Sequence, residues 1–177
     1  MHPNEMEKES VDLTQISLRP LQFSDLDDLM VWRNDEKVAR FCSWEPNTTK
    51  EDGIKFIQDI PNKFVWCRAI CLKGGAIGCI SLTSREKAVE LGYVIASKYW
   101  GQGIATVAVK QAVKAAFNEL EELERVEALV DVQNVGSQRV LEKVGFQREG
   151  ILRKYGFVKG KSTDMVMFSL LSTDPQL

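Results

Sequence analysis

The chain has 177 residues, a formal net charge of -2 and a hydrophobic content of 44%, which fits one domain that buries a core without disulfides or metal. Its near-neutral charge argues against broad nucleic-acid binding, which needs a strongly basic face. The sequence shows neither an apolar run that would span a membrane nor the apolar segment of a secretory signal.

The chain has one histidine and four cysteines, and their positions limit which catalytic and metal sites it could form. The single histidine, His2, lies in residues 1–13, which we predict to be a mobile tail before one domain over residues 14–172. This position argues against Ser-His-Asp, Cys-His and histidine–metal sites. The cysteines lack zinc-type spacing, so we expect no metal and reduced thiols in a cytoplasmic protein. They are Cys42, Cys67, Cys71 and Cys79.

The first half of the chain predicts a strand, two helices and three strands. In chain order these are a strand over 16–21, a helix from Ser24, a helix from Thr48 toward Pro61, and strands over 65–72, 77–83 and 88–96. Thr48 with Glu51 three residues later indicates a capping box. An aromatic-containing loop over 41–47 joins the helices, and Gly74-Gly75 indicates a hairpin turn.

The second half predicts two helices and three strands. They are a helix over 102–118, a strand over 125–132, a helix over 136–144 that stops at Gly145, and a closing hairpin of strands over 146–158 and 164–171. The whole order of elements indicates a mixed α/β sheet with helices on both faces.

Residues 99–105, with the sequence YWGQGIA, lie where an alternating strand pattern stops and an amphipathic helix pattern starts. A strand that turns through glycines into a helix presents unpaired backbone N–H groups and the positive end of the helix dipole. This arrangement favours a bound phosphate. The other interpretation is an ordinary helix start.

Five motifs occur in a fixed order along the chain. They are Leu18-Arg19-Pro20, Trp32-Arg33-Asn34, Glu90-Leu91-Gly92-Tyr93, YWGQGIA at 99–105, and Asn134-x-x-Ser137 followed by Gly145-Phe146. Taken together, they resemble the GNAT N-acetyltransferase superfamily and its RimJ/RimL-like branch of ribosomal-protein N-acetyltransferases, and the resemblance covers residues 16–171. It implies the α/β GNAT (acyl-CoA N-acyltransferase) fold, with a mixed central sheet and a splayed pair of central strands.

The resemblance implies acetyl-CoA as the acetyl donor and places its site. The pyrophosphate would bind the backbone of Trp100, Gly101, Gln102, Gly103, Ile104 and Ala105. The pantetheine arm would enter the gap between the splayed strands and contact the backbone of Tyr93, Val94 and Ile95 and the side chain of Asn134. Trp100 departs from the usual Gln or Arg, and Asn134 is also explained as a helix cap.

The chemistry requires a base for the acceptor amine and an acid for the departing thiolate. By resemblance, Glu90 is the candidate base, and the alternative interpretation is an exposed strand glutamate. Many family members have a tyrosine at the position of Leu141, so Ser137 is the candidate acid here. Ser137 is also explained by hydrogen bonding at the helix start, and the remaining candidates are Tyr93, Tyr99 and Tyr155.

The acceptor is expected between the N-terminal helices and the closing hairpin. Candidate wall residues are Trp32, Phe41, Trp44 and Tyr155. The branch favours a protein N-terminus or a small amine as acceptor. The net charge and the lack of a long apolar run predict no nucleic-acid or membrane partner, and we expect a monomer or a homodimer. Three alternatives remain: a polyamine or aminoglycoside acetyltransferase, a GNAT-fold module that binds acetyl-CoA without turnover, and a nucleotide-binding α/β protein unrelated to coenzyme A.

Overall fold

A computed structural model describes residues 10–176 and shows a seven-stranded sheet in the order β1-β2-β3-β4-β5-β7-β6. The strands are β1 (Ile16–Arg19), β2 (Trp66–Leu72), β3 (Gly75–Ser84), β4 (Val89–Ile95), β5 (Arg125–Asp131), β6 (Gln147–Val158) and β7 (Lys161–Leu171). The helices are α1 (Leu26–Arg33), α2 (Glu36–Ala39), α3 (Lys50–Lys63), α4 (Ile104–Glu119) and α5 (Val135–Val144). Short 3₁₀ helices occupy Leu13–Gln15, Phe23–Asp25 and Ser97–Tyr99.

The predicted order of elements is confirmed, with differences at several boundaries. The cap of α3 is one residue later than predicted: Thr49 Oγ accepts from the Asp52 N–H at 3.2 Å, and Asp52 accepts from the Thr49 N–H at 2.9 Å. Thr48 is instead buried, with its hydroxyl directed to a loop carbonyl. β7 starts at Lys161 rather than at residue 164 because a two-residue turn with positive φ angles closes the hairpin.

The short helix α2 and the 3₁₀ helices were not predicted, because none of them carries a full period of apolar residues. Residues 1–9 of the predicted tail, including His2, lie outside the described residues. At its other end the predicted tail meets ordered structure, since Asp12 accepts a hydrogen bond from the Thr14 N–H at 3.0 Å and Leu13 begins a 3₁₀ helix.

The sheet is mixed, with one parallel pair at its centre. β1 to β4 pair antiparallel in sequence, and β5, β7 and β6 form a second antiparallel group. β4 and β5 join the two groups in parallel. This arrangement confirms the predicted mixed sheet.

Helices cover both faces of the sheet. α4 and α5 bury one face in a cluster that includes Leu91, Ile104 and Phe168. α1 to α3 pack on the other face around Leu29, Trp32 and Cys79. Trp32 is 2% exposed, so it belongs to this core, and its predicted place in the acceptor wall is wrong.

The four cysteines are free thiols. Cys67 and Cys79, on adjacent strands, have their sulfur atoms 3.4 Å apart. Within residues 10–176 no three histidine, cysteine or carboxylate side chains are grouped so as to hold a metal ion. In the same range, the helices are too short or too polar to cross a membrane.

Candidate active site

The candidate active site centres on the gap where the two parallel strands separate. In the described part of the chain, β4 and β5 pair at Val89 with Val126 and at Glu90 with Glu127, and nowhere further along. Both strands continue for several residues beyond these pairs. The carboxyl ends of β4 and β5 therefore leave backbone groups that no neighbouring strand uses.

The direction of the backbone groups along β4 follows from its ladder with β3. The Arg85 N–H donates to the Ala88 carbonyl at 2.9 Å where this ladder starts, and hydrogen-bonded pairs then alternate along an antiparallel ladder. In the observed register, Val94 exchanges its hydrogen bonds with β3, whereas Tyr93 and Ile95 direct their N–H and C=O groups into the gap. Two of the three predicted backbone contacts to pantetheine thus face the gap.

Above the gap, the chain turns through two glycines into α4. Gly101 has φ +73° and Gly103 has φ +82°, a left-handed conformation that glycine adopts without strain. α4 starts at Ile104, and in the described part of the chain the backbone N–H groups of residues 101–106 donate to no protein acceptor. Free N–H groups and the positive end of the α4 dipole fit the pyrophosphate of the expected donor.

Trp100 has a structural explanation. Its indole Nε1 donates to the Ile95 carbonyl at 2.8 Å, so the side chain ties the end of β4 to the start of the glycine turn. The ring itself is about half exposed, at 47%. The departure from Gln or Arg therefore leaves the backbone of the turn in place and adds a brace to it.

A second brace joins the turn to the N-terminal helices. The Ser97 hydroxyl donates to Asp35, which also accepts from the Lys37 N–H at 2.9 Å. These bonds, led by the one from Ser97, hold the pKa of the Asp35 carboxyl below its usual value. The donor turn and the α1–α2 junction are thus fixed to each other.

On the α5 side of the gap, two hydroxyl groups meet. The Tyr93 hydroxyl lies 2.8 Å from Ser137 Oγ, and burial raises the pKa of Tyr93 to about 12. Asn134 caps α5, since its Oδ1 accepts from the Ser137 N–H at 3.2 Å. The helix-cap interpretation of Asn134 is therefore confirmed. Its amide NH2 donates to no other described residue, so a contact to pantetheine remains open.

Glu90 is half-buried and lies in the last β4–β5 pair, where the gap between the two strands begins. Its Oε2 accepts hydrogen bonds from Arg85, at 2.9 Å from Nε, while Oε1 has no hydrogen-bond partner within residues 10–176. Glu90 shares its sheet face with Gly92 and Val94, opposite the face that α4 and α5 cover. One carboxylate oxygen is thus free to meet an incoming amine.

A second carboxylate, absent from the sequence prediction, lies beside the first. Glu127 is the β5 neighbour of Glu90. Its Oε2 accepts from Arg125 Nε at 2.9 Å, and Arg125 is also bound by Glu149 through Nη1 at 3.1 Å. The bond from Arg125 lowers the pKa of Glu149. The Arg-x-Glu alternation of β5 is visible in the sequence, but only the parallel register shows that Glu127 adjoins Glu90.

The acceptor side is bounded by the closing hairpin and the N-terminal helices. At the hairpin tip, Lys159 Nζ donates to the Ala39 carbonyl at 2.6 Å, which connects the β6–β7 turn to α2. Tyr155 and Phe157 are exposed on the hairpin. The acceptor position between the N-terminal helices and the closing hairpin stays a prediction.

The comparisons with known proteins agree with this geometry. A family model described as an acetyltransferase (GNAT) domain matches residues 15–147. The uncharacterized N-acetyltransferase p20 of Bacillus licheniformis is 30% identical and aligns over 94% of this chain and 98% of its own length. YdaF of Bacillus subtilis (strain 168), assigned to ribosomal N-acetylation, is 30% identical over 90% of this chain and 92% of its own.

Among solved structures, the spermidine N-acetyltransferase of Vibrio cholerae in complex with CoA and spermine has a similar fold. It superposes with a TM-score of 0.76 at 21% identity, and the match covers 91% of this chain and 98% of that one.

Proposed function

This chain belongs to the GNAT acetyltransferase family and is an acetyl-CoA-dependent N-acetyltransferase, and we propose that it acetylates a primary amine by direct attack within a ternary complex. One observation carries this proposal: the gap between β4 and β5 opens directly beside Glu90. A thioester in the gap and an amine on the open sheet face would then meet next to a carboxylate.

Each group of the donor site has one role. The N–H groups of residues 101–105 bind the pyrophosphate. The Tyr93 backbone and the Ile95 N–H bind the pantetheine arm, since the Ile95 carbonyl accepts from the Trp100 indole. A backbone N–H directed into the gap also stabilises the oxyanion that forms when the amine attacks the thioester carbonyl.

Glu90 removes the proton from the acceptor amine. An α-amino group has a pKa near ~8 and a lysine amine near ~10.4, so the acceptor arrives as an ammonium ion at neutral pH. Glu90 Oε1 accepts a proton from it, directly or through water, and the freed lone pair attacks the carbonyl carbon. Glu127, whose Oε1 has no hydrogen-bond partner among the described residues, holds the ammonium ion in place beside Glu90.

The leaving group is stabilised by the Tyr93–Ser137 pair. The C–S bond breaks and the sulfur leaves as a thiolate, whose parent thiol has a pKa near ~8.5. Because the pKa of Tyr93 is about 12, complete proton transfer to the thiolate would be uphill by roughly 5 kcal/mol. The hydroxyl pair therefore acts by hydrogen bonding to the thiolate. The proton that the attacking nitrogen loses as the amide forms passes through water to the thiolate.

We propose a protein N-terminus or a small amine as the acceptor of this cytoplasmic enzyme. The likeness to YdaF supports the first acceptor class. A polyamine is the second candidate, because the adjacent carboxylates Glu90 and Glu127 would also attract a polycation.

The deciding experiment measures thiol release from acetyl-CoA with a panel of peptides of varied N-termini, polyamines and aminoglycosides, with products identified by mass spectrometry. Acetylated peptide α-amino groups support the first class, and acetylated polyamines support the second. Binding of acetyl-CoA by calorimetry without acetylation of any amine would contradict direct transfer and indicate a binding module.

A further inference from the structure

Arg33, the last residue of α1, holds a positive charge in an aromatic enclosure. Its guanidinium carbon lies 4.5 Å from the centroid of the Trp44 ring and 5.1 Å from that of Phe56. The Trp44 indole donates to the Arg33 carbonyl at 3.2 Å, which holds the ring in place. Cation–π contact with two rings stabilises the guanidinium but satisfies none of its N–H groups.

The hydrogen-bonding capacity of Arg33 is left unused. Its Nε is buried without a partner, and across residues 10–176 no protein acceptor meets Nη1 or Nη2. Three carboxylates line the same cavity, Glu45, Asp52 and Asp59, and within residues 10–176 none of them accepts a hydrogen bond from Arg33. Asp52 accepts from the Thr49 N–H at 2.9 Å, and Asp59 lies 3.9 Å from Lys63 Nζ. Burial lowers the pKa of Arg33.

A buried polar atom without a hydrogen-bonded partner is costly to a folded protein, and Arg33 Nε is such an atom. The partly buried side chain of Arg33 lines a cavity of about 350 Å³. Its lining also includes Trp44, Asn47, Lys55 and Phe56. The Asn34 amide donates to the Thr48 carbonyl at 3.2 Å, so the loop that forms one wall is anchored to α1.

We propose that this cavity binds an oxyanion, a carboxylate or a phosphate group, through the Nη1 and Nη2 atoms of Arg33. The planar pair of N–H donors matches the two oxygens of either group. Lys55, an exposed cation on the rim with no ion-pair partner in the described part of the chain, adds a second attraction. The bound oxyanion supplies the hydrogen-bond acceptors that no residue in the described part of the chain offers to the Arg33 nitrogens.

The site is separate from the donor site. Its walls are α1, the loop before α3, and α3, and they include none of residues 99–106. The anion has two possible sources: a group carried by the acceptor, or a free anion. The inference does not rest on acetyl transfer, because anion binding is measured without acetyl-CoA.

Isothermal titration with inorganic phosphate and with acetate tests the proposal. We expect saturable binding by the wild-type protein and a loss of affinity of roughly tenfold or more in Arg33→Gln. Arg33→Lys should lose less affinity, because it keeps the charge but not the planar pair of N–H donors. Arg40→Gln is the matched control, because Arg40 stacks on Phe41 and lies outside the cavity. Circular dichroism and thermal melting verify that each variant is folded.

The source of the oxyanion is decided by competition. If phosphate raises the KM of an amine that bears a carboxylate or phosphate, but not that of the matched amine without it, the acceptor carries the group. If phosphate raises the melting temperature without competing, the ligand is a free anion. No saturable binding by the wild type, or equal binding by Arg33→Gln, would overturn the proposal.

Discussion

The Tyr93 hydroxyl lies 2.8 Å from Ser137 Oγ and joins the middle of β4 to the first turn of α5. The usual tyrosine position of the family holds Leu141, which is fully buried in the core. The phenol at the first turn of α5 therefore comes from Tyr93 on β4 and not from α5 itself. The serine and the tyrosine that the sequence suggested as alternative acids are members of one pair.

Removing the phenol tests this pair. We expect Tyr93→Phe to lower kcat roughly 10²-fold with little change in the KM of acetyl-CoA, since the hydroxyl would act on charge that develops only in the transition state. Ser137→Ala should have a smaller effect. Steady-state thiol release measures both, and Tyr99→Phe is the control. A larger loss in Tyr99→Phe than in Tyr93→Phe would shift the assignment to Tyr99.

The pH profile gives an independent test of Tyr93. Because the pKa of Tyr93 is raised to about 12, its hydroxyl keeps its proton throughout the neutral and mildly alkaline range. The proton is lost only as pH rises through that value. We expect no decline of kcat on the alkaline side up to about pH 10. An alkaline decline near pH 9 that Tyr93→Phe abolishes would show that the phenol ionises earlier than its burial implies.

Glu90→Gln should lower kcat roughly 10²- to 10³-fold, because proton removal then falls to solvent. The remaining rate should rise about tenfold per pH unit below the pKa of the acceptor amine, as the free amine becomes available. Glu142→Gln, an exposed change on α5, is the matched control. Turnover and a pH profile like those of the wild type in Glu90→Gln would exclude Glu90 as the base.

Glu127→Gln should act on binding rather than on proton removal. We expect a rise of roughly 5- to 20-fold in the KM of the amine with kcat nearly unchanged. The reason is that the substitution removes one partly exposed charge contact to the ammonium ion. The KM of acetyl-CoA is the internal control. A fall in kcat comparable to that of Glu90→Gln would instead show that the two carboxylates share the proton transfer.

The brace at the donor turn predicts a modest loss of donor affinity. Trp100→Phe removes the indole N–H that binds the Ile95 carbonyl at 2.8 Å, and one such hydrogen bond is worth about 1 kcal/mol. We expect a Kd for CoA raised about fivefold in calorimetry. Trp44→Phe, which removes a similar indole-to-carbonyl bond away from the turn, should leave this Kd unchanged.

A partly buried ion pair near β1 makes the stability of the fold depend on pH in the acid range. Asp25 accepts two hydrogen bonds of 2.8 Å from Arg19, and these lower its pKa in the folded state. Its contribution is therefore present above the unfolded pKa of about 3.9 and is lost as pH falls through the lower folded pKa.

Asp25→Asn should lower the free energy of unfolding by about 2 kcal/mol at pH 7. The difference from wild type should shrink below about pH 4, as the wild-type carboxylate itself takes up a proton. Urea unfolding at both pH values measures this. A difference that stays constant between the two would show that the ionised form of Asp25 is not what stabilises the fold.

Local patterns in the sequence were enough to predict the order of the elements, the glycine turn into α4 and the helix stop at Gly145. Each of these depends on residues that are close in the chain: alternation in β4, three- and four-residue spacing in α4, and left-handed glycines. Boundaries set by tertiary contact were predicted less well. The cap of α3 moved from Thr48 to Thr49 because Thr48 is buried in the fold.

The sequence alone thus determined the family, the fold and the identity of the donor, because the motifs that carry them are contiguous. Only the tertiary structure decided which groups lie together. The register of β4 with β5 places Glu127 beside Glu90, and the approach of α5 to β4 brings Ser137 to Tyr93. The folding of the loop before α3 onto α1 brings Trp44 to Arg33. These contacts join residues that are 11 to 44 positions apart in the chain, and no local periodicity encodes such a distance.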